Sequence, residues 1–184
     1  MEEHLCILAT GAPLTARCAD LAASFVADGW TVRVALTDAA QAWADESAIA
    51  AAIGANPRST FRYSGAEPRG SEPDAVVVCP ATFNTIGKAA TGISDTYVHS
   101  LLCEVIGAKI PTLMVPMVKH SLWNHPAWKA HLELLSAAGV WFLDPATGAE
   151  RAAPVTSGTG AIITALFDPK WVVSSVRQHS RTPH

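Results

Sequence analysis

Apolar residues along this chain change their spacing repeatedly, from short continuous runs to a helical period and back again. His4 to Thr10 form a short apolar run ending at Gly11, and Leu14, Cys18, Leu21, Phe25 and Val26 then share one helical face that Gly29 closes. A period-two stretch follows, with Val32, Val34 and Leu36 alternating with Arg33 and Ala35. Thr37-Asp38 is placed to cap a second, Ala-rich helix reaching to about Gly54. Residues 55–73 collect Asn56, Pro57, Gly65, Pro68, Gly70 and Pro73 around one short candidate strand, Thr60 to Tyr63, and read mostly as loop. Asp74 opens the run Ala75 to Cys79, apolar on both faces as a central parallel strand requires, and Pro80 is expected to stop it. A helical pattern resumes at Thr82. Ile110 to Val118 is a further apolar run, Trp128, Leu132 and Leu135 place a helix that Gly139 ends, and Val140 to Leu143 gives the last strand.

Strands alternating with helices at this spacing predict an α/β fold, a Rossmann-like three-layer α/β/α domain with a mostly parallel sheet. After Asp144-Pro145 the composition shifts. Ala146 to Gly160 is rich in Ala, Gly, Thr, Ser and Pro without periodicity, which predicts a mobile flap or exposed loop, and a short amphipathic tail follows with Trp171, Val172 and Val176. Residues 1–145 are therefore read as the body of one domain and 146–184 as its flap and tail, with His179 to His184 expected to fray.

With 184 residues, 49% of them hydrophobic and 16% charged, the chain is long enough to bury a core without disulfides or metals. The apolar bias predicts surface buried against other subunits. A net charge of -3 supplies no basic stripe for a phosphate backbone, so nucleic acid is not an expected partner. No apolar run approaches the roughly 18 residues that cross a bilayer, and the acidic start Met1-Glu2-Glu3-His4 lacks the basic region of a signal peptide; a cytoplasmic protein with no membrane partner is expected. Cys6, Cys18, Cys79 and Cys103 form no CxxC and read as reduced core residues.

Ligands of open parallel sheets bind where strands run out into helix N-termini. Those ends read Thr10-Gly11-Ala12, Thr37-Asp38, Pro80-Ala81-Thr82-Phe83-Asn84-Thr85 and Pro116 to Trp123. A phosphate suits such a place: Gly11 lets the backbone approach, while Thr82, Thr85 and Asn84 add short neutral donors. Thr82 reads equally as a plain helix cap. Neither GxGxxG nor GxxxxGK[ST] is present, which argues against a common dinucleotide or nucleoside-triphosphate site. His120, His125 and His131 lack an HExxH arrangement or a cysteine pair, and no metal site is expected.

Pro80-Ala81-Thr82-Phe83-Asn84-Thr85, followed by Ile86, Lys88, Gly92, Ile93 and Asp95, resembles the PASANT signature of the homo-oligomeric flavin-containing cysteine decarboxylases. That family includes phosphopantothenoylcysteine decarboxylase and the lantibiotic peptidyl-cysteine decarboxylases. Pro116, Trp123, Asn124 and Pro126 resemble its second signature, and Thr10-Gly11, Asp20-Leu21, Gly29, Val32, Val34 and Thr37 its N-terminal pattern. The resemblance covers about Leu5 to Pro145. It implies a subunit that binds FMN and assembles as a homo-oligomer, a trimer or a dodecamer, with the flavin at an interface. It also implies that Gly11, Ala12, Thr37, Ala81, Thr82, Phe83, Asn84 and Thr85 form the cofactor site. Phe83 and Trp43 are candidates for the apolar slot around the ring system.

The departures bear on the reaction. The position of the family's catalytic His falls on Ala66, its substrate-binding Asn on Lys119, and the Ser of its first loop on Ala12, for which Thr15 is a candidate replacement. No cysteine follows Cys103, so the flap carries no proton-donating thiol. Lys119, His120, Ser121, Asn124 and His125, with His99, gather where a substrate should lie; Lys119, His120 and Asn124 are the expected catalytic group. The expectation is a flavin-dependent oxidoreductase or decarboxylase-like enzyme acting on a small thiol-containing or anionic substrate, a small molecule or a peptide. The alternatives are a catalytically silent flavin-binding regulatory subunit and, ranked last for want of arginines near the strand ends, a flavin prenyltransferase.

Overall fold

The computed structural model describes residues 2–60 and 71–180. Five strands, β1 (His4–Ala9), β2 (Thr31–Leu36), β3 (Ala75–Ala81), β4 (Thr112–Pro116) and β5 (Val140–Phe142), form one sheet in the order β2-β1-β3-β4-β5, every pairing parallel. The helices are α1 (Cys18–Ala27), α2 (Asp38–Gln41), α3 (Glu46–Ile53), α4 (Phe83–Thr91), α5 (Tyr97–Gly107), α6 (His120–Trp123), α7 (Trp128–Ala137), α8 (Gly160–Leu166) and α9 (Pro169–Ser180).

Strand alternation sends side chains to two cores. Leu5, Ile7 and Ala9 of β1, with Ala75, Val77 and Cys79 of β3, pack against Phe25 of α1, Ile49 of α3 and Val172 and Val176 of α9. Cys6 and Leu8, with Val76 and Val78, meet Ile86 of α4, Leu102 of α5 and Trp128 of α7 on the other face. The result is the expected three-layer arrangement. Each fully buried valine of β3 contributes on the order of 1.5–3 kcal/mol relative to exposure.

Local chemistry sets the boundaries, and in four places it corrects the sequence reading. The strand does not stop at Pro80: β3 continues to Ala81, which pairs with Pro116, and its carbonyl accepts the Met117 N–H at 2.9 Å. The Cys79–Pro80 peptide is cis. The second helix is two helices, because Asp45 restarts the chain as a new cap by accepting the Ala48 N–H at 2.9 Å, and α3 ends at Gly54 with φ +70°. The first helix is entered through a 3-10 turn, Pro13–Arg17. The tail is longer and more ordered than its composition suggested, since α9 runs to Ser180 and buries Val172 and Val176 against the sheet. The candidate strand beginning at Thr60 extends into residues outside those described; nearby, Arg58 bridges Ala35 at the edge of β2.

Candidate functional site

Between β1 and β3 the strand order reverses, so the loops leaving their carboxyl ends part and leave a gap. A cleft of about 650 Å³ opens there. Gly11, Ala12 and Pro13 line it from the loop after β1, Thr82, Phe83 and Asn84 from the start of α4, and Met117, Lys119 and Leu122 from the segment after β4. Val155 to Gly158, with Gly160 and Ala161, bring the flap to the same cleft. The flap is held in place by the Val155 N–H, which donates to the Val118 carbonyl at 2.8 Å.

The two main walls are tied by one buried side chain. Thr10 donates its hydroxyl to the Pro80 carbonyl at 2.8 Å and accepts the Thr82 N–H at 3.1 Å. A Cβ on Gly11 would stand 2.6 Å from the Ala39 Cβ and 3.0 Å from the Ala39 carbonyl oxygen, so only glycine lets this loop lie against the start of α2. Thr82 caps α4, its hydroxyl accepting the Thr85 N–H at 3.4 Å. The N–H groups of Phe83 and Asn84 fall in the first turn, where no acceptor exists within the helix. The Phe83 ring stacks on Trp128 at 5.1 Å, which fixes one rim of the cleft to α7.

A polar chain runs inward from this turn. The Thr85 hydroxyl lies 3.0 Å from that of Thr82 and 3.3 Å from His99 Nε2; His99 Nδ1 lies 2.8 Å from the Thr96 hydroxyl and 3.4 Å from Asp95 Oδ1. Lys88 Nζ donates to both carboxylate oxygens of Asp95, at 2.8 and 2.7 Å. The Lys88 hydrogen bond holds the Asp95 carboxyl below its ordinary value. Burial first, and the Lys88 charge second, lower His99 against the opposing pull of Asp95. Burial pushes the Cys6 thiol up to about 11 and Cys18 up to about 12, so both stay protonated and inert.

The structure brings Gly11, Ala12, Thr82, Phe83, Asn84 and Lys119 together around the cleft. Ala81 is buried immediately before it. Thr37 and Thr85 do not line it: the Thr37 hydroxyl is buried without a partner among the described residues, and Thr85 stands one side chain further in. His120 opens α6 and Asn124 follows its last residue, both exposed and outside the cleft lining. His99 is not among the substrate-side groups but 3% exposed behind the turn. His125 accepts the Ala127 N–H at 3.2 Å, a turn residue. Thr15 is no substitute for a loop serine, because its buried hydroxyl donates to the Thr10 carbonyl at 2.6 Å. Trp43 is exposed and forms no part of the cleft. Ala66 lies outside the described residues. Pro13, Met117 and the flap residues are the lining that sequence reasoning missed; the one signal for the flap was its change of composition. Among the described residues, no three His, Cys, Asp or Glu side chains are grouped to hold a metal ion, and no helix is long and apolar enough to cross a membrane.

A parallel sheet with a cleft at its reversal point defines a Rossmann-like α/β protein. The Flavoprotein family model matches residues 1–167, and the chain belongs to that family. Among solved structures it is similar to a PPC decarboxylase mutant complexed with pantothenoylaminoethenethiol, with a TM-score of 0.73, 17% identity and coverage of 99% of this chain and 100% of that one. MrsD from Bacillus sp. HIL-Y85/54728 superposes with a TM-score of 0.74 at 18% identity, over 98% of this chain and 97% of that one. The FMN binding protein AtHal3 gives 0.72 at 20% identity, with 100% of both chains covered. These likenesses show the fold. Among curated proteins, the Coenzyme A biosynthesis bifunctional protein CoaBC of Thermococcus kodakarensis is 39% identical over 75 residues, 41% of this chain and 18% of that protein. A Cysteine/Cysteine sulfinic acid decarboxylase from an unknown prokaryotic organism is 33% identical over 103 residues, 56% of this chain and 26% of that protein. The chain thus spans only about a quarter of the length of such relatives.

Proposed function

We propose that this chain binds FMN in the cleft between β1 and β3 and acts as a flavin-dependent, decarboxylase-like oxidoreductase on a small thiol-containing or anionic substrate. The observation that carries the reading is the donor set at the start of α4. The N–H groups of Phe83 and Asn84, without an acceptor inside the helix, the Thr82 hydroxyl and the close approach allowed by Gly11 suit a phosphate group, and the helix end favours its negative charge. Pro13, Phe83, Met117, Leu122 and Val155 supply apolar lining for a ring system, and the cleft's 650 Å³ falls within the usual range for cofactor sites. The buried Thr37 hydroxyl, unpaired among the described residues, is a further donor that a small local movement would present.

A flavin held there would supply two-electron oxidation of the substrate. The chain's own part is binding and orientation. Lys119 lies at the rim, exposed and without an ion pair among the described residues, where its ammonium would hold a substrate carboxylate or phosphate. His120, the first residue of α6, and Asn124, just after its last, are proposed to reach the substrate from that rim, with His120 moving a proton at an imidazole nitrogen. Exposed Ile162 and Leu166, one turn apart on α8 beside the flap end of the cleft, fit the expected homo-oligomer in which a second subunit completes the site.

One observation favours a second reading. Lys119 is the sole ionisable side chain among the described residues that line the cleft, as a catalytically silent flavin-binding subunit would have it. The freshly purified protein should show bands at about 375 and about 450 nm, typical of oxidised flavin. Colourless protein that takes up no FMN overturns both readings. Yellow protein bleached by a thiol or carboxylate substrate and recovering in air supports the enzyme, and yellow protein inert to such substrates supports the silent subunit.

A further inference from the structure

The side chains behind the cleft form a line with a direction. From the inside outward it runs Thr96, His99, Thr85, Thr82, with neighbouring polar atoms 2.8, 3.3 and 3.0 Å apart, and its last member lines the cleft. His99 and Thr85 are buried, at 3% and 1% exposure, so neither is turned by water. The charged groups acting on the imidazole are Lys88 of α4 and Asp95 of the loop before α5; burial and the Lys88 charge favour the neutral ring and outweigh Asp95, which favours the charged one.

A neutral imidazole carries one N–H, which leaves the line two polarities. With the proton on Nδ1, facing Thr96 and Asp95, Thr85 donates to Nε2 and Thr82 donates to Thr85; the Thr85 and Thr82 hydroxyls both point away from the cleft. With the proton on Nε2, Thr96 donates to Nδ1, Nε2–H donates to Thr85 and Thr85 donates to Thr82. The Thr82 hydroxyl then has no inward acceptor left and donates into the cleft.

We propose that His99 is a positioning residue for anion binding: through Thr85 it fixes the Thr82 hydroxyl as a donor to a phosphate in the cleft, and a bound phosphate selects the Nε2–H tautomer. The inference rests on the reading of the cleft as a flavin phosphate site and extends it to a residue that touches neither cofactor nor substrate. The phosphate is the group sensed, so FMN and riboflavin, which differ by that phosphate alone, are the probes.

Affinities for both are measured on the wild-type protein and on His99→Phe, His99→Gln and Thr85→Val. The wild type should prefer FMN. His99→Phe and Thr85→Val should each weaken FMN about three- to tenfold, the size of one lost hydrogen bond, and leave riboflavin unchanged. His99→Gln, which returns an amide donor near the Nε2 position, should recover most of the loss, and His99→Phe combined with Thr85→Val should cost no more than either alone. Nitrogen-15 spectra of histidine-labelled protein should show the His99 proton on Nε2 with FMN bound and not with riboflavin. If His99→Phe does not fold, the near-isosteric Thr85→Val reads the same line. An FMN preference undiminished in Thr85→Val, or an equal loss of both ligands, overturns the role of His99. A wild-type protein indifferent to the phosphate overturns the flavin-phosphate reading itself.

Discussion

Lys119 offers the plainest test at the level of single residues, because no other ionisable side chain among the described residues lines the cleft. Lys119→Ala should raise the KM for a carboxylate substrate about tenfold with little change in kcat, as loss of uniform binding does; steady-state kinetics showing an unchanged KM would remove Lys119 from the site. Gly11→Ala should weaken FMN binding and lower the melting temperature, since its Cβ would meet the Ala39 backbone at 3.0 Å, and fluorescence titration and thermal unfolding check both. His99 predicts a pH dependence of stability. Its folded value lies below its ordinary value of 6.5, so the unfolded chain takes up the proton first. Stability should therefore fall as pH drops below about 6.5 and stay level above it, and urea unfolding of His99→Gln should lack that slope. Gly11, Ala12, Thr82, Phe83, Asn84 and Lys119 were legible in the sequence because they follow strands directly, and a strand end fixes where its loop begins. The inward turn of Thr15, Thr85 and His99 was not, because a side chain's direction is decided by partners such as the Thr10 carbonyl that are distant in sequence or hidden in packing.

Among the elements, α9 shows how the end of the described chain is fastened to the body. Arg177 pairs with Glu3 and Asp28 and lies 4.5 Å over the Trp30 ring, while Trp141 donates its indole N–H to Ser175 at 3.0 Å. Arg177→Ala should destabilise the protein by about 1–2 kcal/mol, measured by denaturant unfolding; a loss near zero would show that these half-exposed pairs are screened. The flap stem lies against the same helix at Gly148, where φ is +69° and an added Cβ would stand 2.5 Å from the Trp171 ring, which excludes any side chain. Strand and helix alternation was readable because the valine run and the Leu, Phe and Trp spacing follow the two backbone periods. The break at Asp45 and the continuation through Pro80 were not, because each is decided by one hydrogen bond: the capped Ala48 N–H and the Ala81 carbonyl taken by Met117.

For the molecule as a whole, the exposed α8 face is the proposed subunit contact beside the cleft. Ile162 and Leu166 are 59% and 58% exposed, an apolar pair on the same helix as cleft-lining Ala161. Light scattering should give a homo-oligomer, a trimer of the 19.3 kDa chain or a larger assembly of trimers, and Ile162→Glu should shift it towards the monomer; a wild-type mass of 19.3 kDa would contradict the proposed assembly. The central claim is narrower and rests on a single turn of backbone, the one entering α4 after β3. A crystal structure of the protein saturated with FMN tests it most directly. The phosphate should lie within hydrogen-bond distance of the Thr82 hydroxyl and the Phe83 and Asn84 N–H groups; flavin density elsewhere, or a cleft left empty at saturating FMN, would rule out this turn as the binding site.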